Sequence, residues 1–97
     1  MNIVKGTTES GFKYEIDPGV LRSWEAMEYL VKIEQGDVAA AAEGFRFIIG
    51  SDQLDRVLEF IRKKSGKPYA SQDEVLAVAN EIIQAAQTAQ GEENAKN

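Results

Sequence analysis

The chain opens on alternation. Phe12-Lys13-Tyr14-Glu15-Ile16 places apolar residues at every second position, and with the branched Ile3-Val4 before it supplies the aromatic and branched side chains of two short strands. Thr7, Thr8, Glu9, Ser10 and Gly11 between them are turn formers, so a small N-terminal β-hairpin is predicted. A lone hairpin is marginal in water and must lie on something else.

From residue 17 the period changes to that of a helix. Asp17-Pro18 is a start signal, with the carboxylate able to accept orphan amide hydrogens and proline at a position that needs no donor. A first helix is predicted over about 18 to 34, ending at Gly36, with Val20, Trp24, Met27 and Val31 as its core stripe. Asp37 opens a second helix whose Ala41, Ala42, Phe45, Ile48 and Ile49 share a face, and Gly50 closes it. Ser51 is the predicted cap of a third helix through about residue 64, with Leu54, Val57, Leu58 and Ile61 inside. Its pairs Asp52 with Arg56 and Glu59 with Lys63 are spaced to attract. After the break at Ser65-Gly66-Lys67-Pro68, Ser71-Gln72-Asp73-Glu74 has the form of a capping box. The fourth helix it starts is predicted to run to about residue 89, with Val75, Val78, Ala79, Ile82, Ile83 and Ala86 inward. Residues 91–97 hold a single alanine among polar side chains and are predicted to be a flexible polar tail. The expected fold is therefore mainly α: a compact bundle of about four helices with a short N-terminal β-hairpin, forming a single helical domain over residues 1–90.

Composition narrows the function. A length of 97 residues suits one domain, and 43% apolar with 28% charged residues is the usage of a folded globular chain. There is neither cysteine nor histidine, which excludes disulfides, thiol nucleophiles, Ser-His pairs and zinc sites built on nitrogen or sulfur. Sixteen acidic residues against eleven basic ones give a net charge of -5, a field that repels nucleic acid. The apolar runs are far shorter than the roughly 20 residues of a membrane span. With no secretory pattern at Met1-Asn2-Ile3-Val4-Lys5, a cytoplasmic chain without cofactor or metal and without enzymatic activity is expected.

Clusters of charge do not add chemistry. Asp52, Asp55 and Glu59 fall on one side of a helix but lack the alternating ligands and central glycine of a calcium loop, and read as a solvated face. Arg62, Lys63, Lys64 and Lys67 are the only basic cluster; at a helix C-terminus they complement the macrodipole. More informative are the apolar residues off the predicted stripes. At about 100° per residue, Tyr29 and Ile33 point away from the Trp24 stripe, Phe47 lies nearly opposite Phe45, and Phe60 sits at the margin of its face. These four are the candidate partner-binding residues, since aromatic side chains outside a core are enriched at interfaces.

The ordered pattern also resembles a known family. Gly11-Phe12-Lys13-Tyr14-Glu15-Ile16-Asp17 leads into a helix with Trp24 and Leu30. Phe47-Ile48-Ile49-Gly50-Ser51-Asp52-Gln53 marks a helix junction, and Gly66-Lys67 precedes a last helix with Asn80-Glu81-Ile82-Ile83. Over residues 11–86 this is similar to the tail assembly chaperones of long-tailed, siphovirus-type bacteriophages. Gln35-Gly36-Asp37 is a tighter connection than many of those proteins have. The resemblance implies a non-enzymatic chaperone, often self-associating, that keeps the tape measure protein soluble and recruits tail-tube subunits in the host cytoplasm before leaving the finished virion. It also implies a longer form made by a ribosomal slip: Ala95-Lys96-Asn97 can be encoded by a run of adenines ending in cytosine, so this chain would be the short form. The rival from another class is a small acidic regulatory or nucleic-acid-binding adaptor acting through Arg62, Lys63, Lys64 and Lys67.

Overall fold

A computed structural model describes the backbone of residues 3–96 and the side chains of residues 3–89. Strands β1 (Val4–Thr7) and β2 (Lys13–Ile16) pair antiparallel with Val4 opposite Ile16 and Thr7 opposite Lys13, the predicted hairpin. Its loop is tied internally. Thr8 is buried, its amide donates to Phe12 O at 2.8 Å, and its hydroxyl accepts from Phe12 N at 3.0 Å. Gly11 has φ of 104°, a conformation open to glycine and costly for other residues.

Asp17 caps the next element as predicted, accepting from Gly19 N at 2.9 Å, but the single helix expected over 18–34 is broken. Pro18–Arg22 is a turn of 3-10 helix, and α1 (Trp24–Glu34) begins only after Ser23. Ser23 is extended, its hydroxyl donating to Val20 O at 2.7 Å and accepting from Ala26 N at 3.1 Å. One side chain thus ends the first piece and caps the second, which lets the chain turn between them.

The remaining helices are α2 (Val38–Ile49), α3 (Ser51–Ser65) and α4 (Gln72–Lys96). Asp37 caps α2 through Ala40 N at 3.0 Å, as predicted. The expected cap of α3 by Ser51 is replaced: Ser51 is already helical, and Gly50, with φ of 97°, both ends α2 and precedes α3 without a side-chain bond. The chain has no spare residue for a serine cap between two helices separated by a single position. Ser71 stands immediately before α4 with its carbonyl accepting from Val75 N, while the side-chain exchange of a capping box is not found among the described residues. The backbone of α4 continues to Lys96, beyond the predicted end near 89; the side chains of the expected polar tail, and Asn97, lie outside the described residues.

Among the described residues the molecule is thus mainly helical, four α-helices and a two-stranded N-terminal hairpin. α4 is the axis, packed on the hairpin, the 3-10 turn, α2 and α3, and it buries Val78, Ala79, Ile82, Ile83 and Ala86 on the predicted face. α3 contributes Leu54, Val57 and Ile61, also as predicted. Phe12 closes the hairpin end of the core edge-on against Phe60, ring centroids 5.5 Å apart. α1 is the outlying element, resting on α2 and the 3-10 turn.

Candidate partner-binding surface

The side of α1 that packs is not the one the periodicity favours. Trp24, Met27 and Val31 are exposed by 68%, 44% and 48%, whereas Ala26 is fully buried and Tyr29, Leu30 and Ile33 are half-buried. The cause is on the opposite helix. Ala40 and Gly44, one turn apart on α2, are both buried, and a Cβ built on Gly44 would lie 2.9 Å from Tyr29 Cβ. The absence of a side chain at that crossing lets the two backbones approach closely enough for Tyr29 and Ile33 to lie against Gly44. From Tyr29 round to Trp24 the apolar positions of α1 span about 220° at 100° per residue, so a neighbour on one side leaves the other uncovered.

Two apolar surfaces result. The first is the outward stripe Trp24, Met27 and Val31, flanked by the exposed Glu28 and Glu34. The second is an open groove of about 560 Å³ between α2, α3 and the start of α4. Half-buried Ala41, Phe45, Leu58 and Val75 line it, and exposed Val38 (82%) and Leu76 stand at its rim. Asp37, Arg46 and Gln72 supply its polar margin. Ala42, expected on the inner face of α2, is exposed and lines this groove.

The four residues singled out from sequence are placed apart. Tyr29 and Ile33 lie half-buried against Gly44, with Ile33 also reaching the groove. Phe47 is exposed and tilts against the Tyr29 ring at 5.8 Å between centroids. Phe60 is half-buried between Phe12 and Lys64, whose ammonium stands 5.8 Å from its centroid. Sequence reasoning missed Trp24, Met27, Val31, Val38 and Leu76 as surface residues. The signal that could have found the first three is the breadth of the apolar arc on α1, too wide for one neighbour to cover.

The charged clusters are largely engaged within the fold. Asp55 pairs with Arg46 at 2.9 Å, and Glu59 with Arg62 at 3.2 Å and, as predicted, with Lys63 at 3.8 Å. Lys64 Nζ donates to Ser10 O at 2.8 Å, and the Glu81 carboxylate accepts from Glu9 N, so the hairpin loop is fastened to α3 and α4. Among the described residues no group of carboxylates is gathered as a metal site, and no helix is long and apolar enough to cross a membrane. Comparison with protein-family models, with curated proteins and with solved structures finds no match.

Proposed function

We propose that this protein is a tail assembly chaperone of a long-tailed bacteriophage, binding the tape measure protein, holding it soluble in the host cytoplasm and promoting tail-tube assembly around it. The observation that carries the reading is the apolar groove between α2, α3 and α4, with Val38 and Leu76 at its mouth and Phe45, Leu58 and Val75 in its wall. An amphipathic helix laid in such a groove hides its apolar face, which is what a long, apolar, helical client needs before assembly. The acidic net charge keeps the loaded complex dispersed. Ile33 extends this contact as part of the groove lining; Tyr29 with Phe47, and Phe60 beside Phe12 and Lys64, are separate points of contact for a partner or a second copy, and the outer edge of β1, with no neighbouring strand among the described residues, is available for self-association. A longer frameshifted form would carry the tail-tube contact.

The test is co-expression with the tape measure protein of the same phage. The soluble fraction of that protein is expected to rise with this chain present and to fall back with Val38→Asp and Leu76→Asp together. A tape measure protein equally insoluble with and without the chain overturns the reading. The rival adaptor reading gains no support from the basic cluster, where Arg62, Lys63 and Lys64 are already engaged with Glu59 and Ser10.

A further inference from the structure

The outward stripe of α1 carries a charge pattern that the groove does not. Glu28 stands one turn beyond Trp24 and Glu34 three residues beyond Val31, so helical spacing sets a carboxylate on either side of the apolar row. Both are exposed, and neither forms an ion pair among the described residues. α1 holds three carboxylates, Glu25, Glu28 and Glu34, against one ammonium, Lys32, which at about 80° from Trp24 lies beyond Glu28 and away from the stripe. Glu34 is the last residue of the helix, at the negative end of its dipole, where an anion is disfavoured. Local helix stability therefore does not account for it, whereas an incoming cation would offset both charges at once.

We infer that this stripe docks a basic amphipathic helix, whose apolar face covers Trp24, Met27 and Val31 and whose flanking Lys or Arg side chains meet Glu28 and Glu34. A second copy of this chain is the poorer occupant, because a two-fold contact of stripe on stripe brings four like carboxylates to one seam. Basic flanks on an apolar helix satisfy both the row and its rim. The inference goes beyond the tape measure reading, since it fixes the chemistry of the occupant and not its identity.

Trp24 is the single tryptophan of the chain and reports directly on the surface. The probe is a synthetic helix of about 18 residues with leucine on one face and lysine on the other, compared with its glutamate counterpart. The lysine helix is expected to shift Trp24 emission to the blue and to bind less tightly as salt rises; the glutamate helix is expected to do neither. Glu28→Lys with Glu34→Lys should weaken the lysine helix by about tenfold. Glu9→Lys with Asp52→Lys, which changes net charge equally on other elements, should leave it unchanged, and circular dichroism checks that both variants stay folded. Equal binding of the two helices, no emission shift, or equal weakening by the two double variants overturns the inference. So does a blue shift that grows with protein concentration alone as a dimer forms. Charge-selective docking without rescue of the tape measure protein would leave this surface standing and remove the function proposed above. Rescue without such docking would do the reverse.

Discussion

Gly44 sits where α2 crosses α1, and a methyl group there would lie 2.9 Å from Tyr29 Cβ and 3.1 Å from Tyr29 Cγ. Those atoms are near the backbone and cannot swing aside. Gly44→Ala gains up to about 1 kcal/mol of helix propensity, but overpacking costs about 1–3 kcal/mol, so a net loss of stability is expected by urea denaturation. Gln53 shows the opposite economy, a buried polar residue whose amide is bonded at both ends. Its Oε1 accepts from Glu15 N at 2.9 Å, and its Nε2 donates to Glu15 O at 2.8 Å and Ile49 O at 2.9 Å. The side chain thus takes the place of a third strand along β2 and fastens the hairpin to α3. Gln53→Leu keeps the volume but strands the Glu15 amide, and should cost about 1–3 kcal/mol in the same measurement. Nothing in the hydrophobic pattern distinguishes Gln53 from a surface residue. Its place one turn before Val57 and two before Ile61 is the only hint.

At the scale of elements, α1 is where local and tertiary demands part. Ser23 breaks the predicted long helix and caps α1, so Ser23→Ala should destabilise by about 1 kcal/mol and reduce helical circular dichroism. Glu34→Lys should act the other way, raising the melting temperature by relieving the helix end, at about 0.3–1 kcal/mol. If α1 were buried on its Trp24 side, Met27→Ala would cost about 2–5 kcal/mol. Because Met27 is exposed, a change within about 0.5 kcal/mol is expected, and thermal melts separate the two arrangements. The hairpin, α3 and the inner face of α4 were readable from spacing because each has one narrow apolar face or one strict alternation. The cap at Gly50 was not, because two helices share a single residue there and the serine's propensity had no position in which to act.

For the whole molecule, the consequence is a core centred on α4 with apolar side chains left over on α1 and around the groove. A surface of that kind predicts loss of function without loss of stability on mutation. Val38→Asp with Leu76→Asp should unfold at nearly the wild-type temperature and, on the chaperone function proposed above, fail to hold a tape measure protein in solution, measured as its soluble fraction on co-expression. The candidate residues named from sequence are spread over three helices, and only Phe47 among the four is exposed. That a surplus of apolar side chains existed was visible from counting faces; which of them stayed outside was not.

The amino-acid sequence alone determined the hairpin, the number and order of the helices, the inward faces of α3 and α4, and an acidic chain without cysteine or histidine. Tertiary structure decided which side of α1 met solvent. A helix apolar over more than half its circumference satisfies its own periodicity with either side inward. The choice fell to Gly44 on a different helix, whose missing side chain allowed close contact with Tyr29 and Ile33 and left Trp24, Met27 and Val31 facing out.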